Sequence, residues 1–328
     1  MTRENMSTKR VFQDLLAGLR PGQLQAWGLL DVMPLFPAGE RGEHAQFVSP
    51  LEHLKVVRVA SYGTLILQNT AKQGTVIAPM HIGFFQTGAQ NHATSRALIL
   101  KAGQTLTAED CFCIQAAQGG YLKEAQQRFI ILPLGLRTAA LAQRGQKSFS
   151  RLWGEIDTHN RRYGIARGGH LERFLRPYFH RLMIYRHAIE IVPGQVGAAY
   201  FVAGNLVGVE VAPNAAYWAD VGPILNIYCY GAAALLAERH QLKAERQVVD
   251  LEGLTSIDDL ARLRQATREQ EALERCNLIE ALARLPWPDT ASGSGLRIID
   301  LAQGEWAGQM VKEGSEMVYL SLFRDVVV

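Results

Sequence analysis

The chain has 328 residues, 48% hydrophobic and 20% charged, with four cysteines and a formal net charge of +3. These values exclude a disordered, collagen-like or disulfide-framework chain and leave enough apolar material for one large domain or two. Scattered cysteines fit a reducing compartment, and MTRENMSTKRVFQDLLAGLR lacks the apolar core of a signal peptide, so a cytoplasmic location is expected.

Val11, Leu15, Leu16 and Leu19 form a helical stripe over Lys9–Leu19 that Arg20-Pro21-Gly22 stops, so residues 1–24 read as an N-terminal helix. Residues 25–127 change texture. Leu30–Leu35, Lys55–Val59, Thr64–Gln68, Thr75–Ala78, Ile82–Phe85, Ala97–Leu100, Thr105–Thr107 and Cys111–Ile114 read as strands, punctuated by Gly63, Asn69, Gly74, Gly88 and Gly103. Their spacing leaves no room for crossover helices, which implies antiparallel pairing in a sandwich or partly closed barrel.

Residues 128–192 form a basic helical segment. Residues 128–187 hold 12 basic and 3 acidic side chains, whereas residues 188–328 hold 11 and 19, so the small net charge hides +9 beside −8. Ser148–Arg162 reads as helical. In the next stretch Leu171, Phe174, Leu175, Tyr178, Leu182 and Ile189 share one face, and Arg173, Arg176, His180 and His187 the other. Pro177 predicts a kink or two abutting helices there.

Residues 193–328 read as an α+β part. Gln195–Val202 and Leu206–Val211 flank Ala203-Gly204-Asn205 as a hairpin. Asn214–Arg239 reads as an apolar helix broken near Gly222-Pro223; the longest apolar stretch, near Ile224–Leu236, falls short of the ~20 residues of a membrane span. Ser256–Leu285 reads as helical with Ser256 as N-cap. Pro286-Trp287-Pro288 ends it, and the linker Asp289–Gly295 leads to strands Leu296–Leu301, Trp306–Val311 and Met317–Phe323. The expected class is α+β, with an antiparallel β-rich N-terminal half followed by a helical half holding a small antiparallel sheet.

Three segments resemble the ARG-and-rhodanese-phosphatase-superfamily-associated protein domain, a prokaryotic family. In the first, the strand–turn–strand Ala78–Leu100, Thr87-Gly88-Ala89-Gln90-Asn91-His92 is followed by Arg96-Ala97-Leu98-Ile99-Leu100, and Gln90 and Asn91 match the family's turn in register. His92 stands where the family has Arg, and Gly88-Ala89 stand one place later, displacing its Lys. Pro193-Gly194-Gln195-Val196-Gly197 with Val202–Glu210 resembles the family hairpin, which carries an acidic residue where Glu210 stands. Gly314–Phe323 resembles its closing strand. The resemblance covers residues 29–323 and implies, through the family's association with ADP-ribosylglycohydrolase and rhodanese-phosphatase proteins, a link to NAD- or ADP-ribose-related pathways. It carries over no reaction and no catalytic residue.

Gln90, Asn91 and His92 with Arg96 offer donors and acceptors suited to a ribose, amide or phosphate, and are the candidate ligand site together with Gln195 and Glu210. The competing reading is a turn whose amides satisfy local backbone, with Glu210 an exposed strand carboxylate. Cys111 and Cys113 share a strand face but lack the second donor pair that zinc needs, and Cys229 and Cys276 are isolated, so no metal is expected. Gly194-Gln195-Val196-Gly197 precedes a strand, the wrong context for a dinucleotide fingerprint, and no resident cofactor is expected. His81 and His92 flank the turn as a conceivable acid–base pair without a visible nucleophile.

The leading expectation is an intracellular binding or regulatory protein with a nucleotide-derived ligand and a protein partner or second copy. One alternative is a hydrolase on a nucleotide-derived substrate; whether the chain is an enzyme stays open. Another is a nucleic-acid binder working through residues 147–186, where arginines interleave with Tyr163, Phe174, Tyr178, Phe179 and Tyr185.

Overall fold

In the structure, a computed structural model, residues 18–38, 44–85, 90–116, 128–146, 148–166, 168–243, 256–285 and 295–326 are described. Most of the expected N-terminal helix, the Thr87–Ala89 part of the turn, Arg167, Pro286–Pro288 and most of the linker lie outside them.

In chain order the strands are β1 (Leu19–Pro21), β2 (Gln25–Trp27), β3 (Leu30–Pro37) and β4 (Phe47–Val48). After the short helix α1 (Pro50–His53) come β5 (Leu54–Ser61), β6 (Thr64–Asn69), β7 (Thr75–Ala78), β8 (Ile82–Phe85) and β9 (His92–Ala93). Then follow β10 (Leu98–Leu100), β11 (Thr105–Ala108), β12 (Phe112–Cys113) and β13 (Arg128–Ile131). Helices α2 (Leu134–Ala142), α3 (Trp153–Arg162) and α4 (Glu172–Ala188) precede the hairpin β14 (Gly197–Val202) and β15 (Asn205–Val211). A continuous helical run then passes from α5 (Ala215–Ile224) through a π-turn (Leu225–Tyr230) into α6 (Gly231–Arg239). Helix α7 (Ile257–Ala283) and strands β16 (Leu296–Gln303), β17 (Trp306–Glu313) and β18 (Glu316–Phe323) complete the fold.

The fold is α+β. The strands of the N-terminal half are mostly antiparallel and lie in several sheets, none of them closed: β10-β7-β4, β11-β6-β5 and β12-β9-β8-β13, alongside β1–β3. The pair β4–β7 is parallel. Strands β16–β18 in the second half are antiparallel and continue through β15 and β14 onto β3, so the largest sheet, of eight strands, draws on both halves.

Side-chain alternation explains why that sheet has two different faces. Leu30 and Val32 of β3, Ala198, Tyr200 and Val202 of β14, and Tyr319 and Phe323 of β18 join the main core with the helices and smaller sheets. Met33, Leu35, Ala199, Phe201, Leu320 and Leu322 face the other way, onto the end of α7 at Leu282 and Ala283. Arg275 of α7 reinforces this contact by pairing with Asp31 at 3.1 Å and lying 5.3 Å from the Phe201 ring centre.

Several elements depart from the sequence reading. Pro177 sits inside one continuous α4 as its sixth residue: it gives up the ladder bond to the Arg173 carbonyl, yet the helix runs on, held on both sides of the proline by the buried Phe174, Leu175 and Leu182. The face assignment agrees with burial: Leu171, Phe174, Leu175 and Leu182 are buried, and Arg173, Arg176, His180 and His187 exposed. The helix expected from Ser148 begins at Trp153. The β14–β15 turn is Ala203-Gly204, both at positive φ as a two-residue hairpin loop demands, and Asn205 already belongs to β15. The run Ala215–Arg239 does not break at Gly222-Pro223 and is 25 residues long. By length and composition it is apolar enough to cross a membrane, yet 72% of its most apolar window is buried inside the protein, as in a core helix.

Much of the divided charge is matched locally. Arg161 pairs with Asp157, Arg176 with Glu172, and Arg181 with Glu238. On α7, Arg262 pairs with Asp259, and Glu280 takes Arg284 just beyond the helix end.

Candidate functional site

Gln90, Asn91 and His92 enter β9 as buried residues, 4%, 2% and 0% exposed. Pairing of Phe84 and Cys113 with His92 fixes the backbone, and the Asn91 N–H donates to Gln115 Oε1 at 3.1 Å. His92 Nδ1 lies 3.0 Å from the Gln90 carbonyl, to which it donates, leaving Nε2 as a buried atom without a hydrogen-bond partner. Burial lowers the His92 pKa against the opposing pull of the Gln90 backbone, so the imidazole is neutral.

Arg96 is half exposed and lies 3.5 Å from Asp110, which also takes Arg151. Gln195 is spent on its own turn: Oε1 accepts from the Val192 N–H at 3.0 Å and Nε2 donates to the Gly197 carbonyl at 2.8 Å. Glu210 is 3% exposed and belongs to a buried cluster on the main-core face of the large sheet. Of the six candidates, Gln90, Asn91 and His92 stand together at β9, while Arg96 faces Asp110, Gln195 its own turn and Glu210 the buried cluster.

Asn91 lines a cleft of about 450 Å³ between α4 and the β8–β13 pair, a size suited to small-molecule ligands. The other lining side chains include Arg128, Arg176 and His180, which are cations or potential cations, and the rings of Phe85, Phe179 and Tyr228. Glu172 lines it too and holds Arg176 at 2.9 Å. Burial raises the Tyr228 pKa, with Arg128 and Arg186 opposing the shift, so its hydroxyl is a neutral donor at the cleft wall.

The Glu210 cluster centres on Arg137 of α2, whose guanidinium is buried. Nη1 donates to Glu210 at 2.6 Å, Nη2 donates to the Ser321 hydroxyl, and the group lies 4.1 Å from the Phe323 ring centre. Tyr230 donates to the same Glu210 oxygen at 2.8 Å. Its ring stacks on Tyr200 at 3.7 Å, and the Tyr200 hydroxyl donates to Asn226 at 2.9 Å. Burial works to lower the Arg137 pKa, but Glu210 reverses the direction, and the guanidinium stays charged. A neighbouring cavity with about 10 Å³ of free space has room for one water molecule and no larger ligand.

All three segments that carry the family resemblance meet at this cluster. The second supplies Glu210 and the third Ser321 and Phe323. The first supplies Met80, whose N–H donates to Tyr319 at 3.0 Å, and His81, 6.0 Å from Phe323 by ring centres. His81 is fully buried at φ +61°, and neither ring nitrogen has a well-formed hydrogen bond. Gly208 of the second segment is explained by Tyr230, because a Cβ there would overlap its hydroxyl. Gly208→Ala is therefore expected to cost about 1–3 kcal/mol in urea unfolding, as overpacking does.

Sequence reasoning missed Arg137, Tyr230, Ser321, Arg128 and Tyr228. The readable signals were a charge inside an apolar helical stripe, Arg137 among Leu134, Leu136 and Ala140, and a lone carboxylate in LVGVEVA. All four cysteines are free, and burial pushes the thiols of Cys111 and Cys229 up to about 12, so neither is a nucleophile near neutrality. Among the described residues no group of three or more His, Cys, Asp or Glu side chains is arranged to hold a metal ion.

No curated protein and no solved structure matches the chain. A family model does, over residues 18–323, a span that takes in every strand and helix described above. The chain therefore belongs to the family of the ARG and Rhodanese-Phosphatase-superfamily-associated Protein domain.

Proposed function

We propose that the chain is an intracellular binding or regulatory protein of an NAD- or ADP-ribose-linked pathway, and that it takes a nucleotide-derived anion in the Asn91 cleft. The observation that carries this reading is the union of Asn91 with Arg128, Arg176, His180 and three aromatic side chains around one 450 Å³ space. Guanidinium groups suit phosphate oxygens, and aromatic faces suit a base. Arg128 makes no ion pair with a described residue, so its charge is available to a ligand. Binding in place of hydrolysis is supported by the burial of His81 and His92, both 0% exposed. In the basic segment Tyr163, Phe174 and Tyr185 are core, which supports a small ligand over a stacked nucleic-acid strand. A protein partner or second copy would meet the remaining exposed arginines of α4.

A thermal-shift panel with NAD, ADP-ribose, AMP and a short RNA tests this. A nucleotide at ~100 times its dissociation constant should stabilise the fold by about 2.7 kcal/mol. Arg128→Glu should abolish the shift. The reading fails if no nucleotide shifts the wild type, or if RNA alone does so.

A further inference from the structure

The run Ala215–Arg239 changes register in its middle. The Gly231 N–H donates to the Asn226 carbonyl, five residues back, which marks Leu225–Tyr230 as a π-turn. Such turns are rare, and their hydrogen-bond geometry makes them less favourable than an α-helical turn, so tertiary contacts must hold them. Six consecutive residues here spread their side chains in directions that a 3.6-residue period does not serve together. Asn226 accepts from Tyr200, Cys229 lies 3.5 Å from the Arg137 guanidinium, and Tyr230 donates to Glu210. Between them, Tyr228 reaches the wall of the Asn91 cleft.

Sequence chemistry explains why the turn closes. A Cβ at position 231 would overlap the Asn226 carbonyl and come within 2.8 Å of the Tyr185 ring, so glycine is required by close approach. Pro223, one turn earlier, cannot donate to the Ala219 carbonyl, which already interrupts the α-helical ladder before the π-turn begins. Return to an α register would rotate one side of the turn by about 100° against the other. Either Tyr230 would then leave Glu210, or Tyr228 would leave the cleft.

We propose that the Arg137–Glu210 pair, acting through Tyr230 and Gly231, holds this helix in its π register and so sets the position of Tyr228 at the cleft wall. Tyr230, Glu210 and Gly231 are positioning residues; Tyr228 is the group that faces a ligand. The functional meaning rests on the cleft being a ligand site, but the coupling itself can be read without any ligand.

The test is fluorine NMR on the full chain labelled with 3-fluorotyrosine, the Tyr228 resonance being assigned by its loss in Tyr228→Phe. In Gly231→Ala and in the milder Tyr230→Phe, the Tyr228 resonance should move by more than its line width. In Leu236→Val, which trims the same helical run in the core of α6 without touching the π-turn contacts, it should stay at its wild-type position. A Tyr228 resonance that stays put in folded Tyr230→Phe, or that moves equally in Leu236→Val, overturns the proposal. Should Gly231→Ala fail to fold, Tyr230→Phe alone decides. A resonance that moves as expected while ADP-ribose fails to bind wild type sustains the coupling and removes only the ligand reading.

Discussion

Arg137→Met should destabilise the protein by about 3–5 kcal/mol, the range for removing one partner of a buried ion pair. Arg137 is 0% exposed and its guanidinium serves four partners at once: Glu210, the Ser321 hydroxyl, the Cys229 sulfur and the Phe323 ring. Methionine fills much of the same volume, so the loss is mainly electrostatic. Glu210 is left as a carboxylate in an apolar core with only the Tyr230 hydroxyl to serve it. The double variant Arg137→Met/Glu210→Leu should recover most of the loss, because neither charge then needs burying. A residual deficit of about 1 kcal/mol is expected from the Tyr230 hydroxyl that no longer has its acceptor. Urea unfolding followed by circular dichroism reads both effects. A single variant within about 1 kcal/mol of wild type would mean that the pair does not organise this core.

Acid should weaken the fold from about pH 6.5 downward, well above the range in which carboxylates titrate. His159 is packed between the rings of Tyr163 and Phe174, at 4.9 and 4.8 Å, and its Nε2 has no partner. Burial, helped by Arg162, lowers its pKa from 6.5 to about 3, so the native imidazole is neutral. Below pH 6.5 the unfolded chain takes up a proton that the native state refuses, and stability falls by about 1.4 kcal/mol per pH unit until the folded value is reached. His81 shifts in the same direction, through burial and then the Arg137 charge, and adds to the slope.

Asp300 behaves differently. Burial opposes its ionisation, but hydrogen bonds from Arg144 and Gln309 outweigh that and hold its pKa below 3.8. Its stabilisation is therefore present above 3.8 and is lost only as pH falls through that lower folded value. His159→Phe, which keeps a ring against Phe174, should flatten the stability profile by about 1.4 kcal/mol per pH unit between pH 6 and 4 and leave it unchanged above pH 7. An unchanged acid slope in that variant would contradict the burial argument.

The elements that sequence reasoning finds are those whose signal is local. The short apolar run of Leu30–Leu35 and the 3.6-residue stripe of Leu171–Ile189 are each visible in a short window. The turn at Ala203-Gly204 is legible for the same reason. Pro177 misleads because the ladder bond it removes is outweighed by core packing of Phe174, Leu175 and Leu182, which a local window does not show.

Local signals mark Arg137 and Glu210 as single charges in apolar runs, but nothing local pairs them. Residues 137, 210, 230 and 321 come from a helix, a strand, a π-turn and a second strand, and only the pairing of β15 with β18 and the packing of α2 bring them together. The π-turn is similarly hidden, since LNIYCYGAAALL reads as a plain apolar helix until Gly231 meets Asn226 and Tyr185. The candidate ligand residues divide on the same principle. Asn91, just before β9, reaches the cleft and Gln195 is spent on its own turn, both local outcomes, whereas the role of Glu210 is set by Arg137, a partner that the spacing cannot name.

The most direct test is calorimetric titration of ADP-ribose into the full chain, its Asn91→Ala variant and its Arg128→Glu variant. The cleft reading predicts saturable, one-to-one binding to wild type, weaker binding to Asn91→Ala and none to Arg128→Glu, with all three proteins equally folded. Absence of binding to wild type, or equal binding to Arg128→Glu, would contradict it.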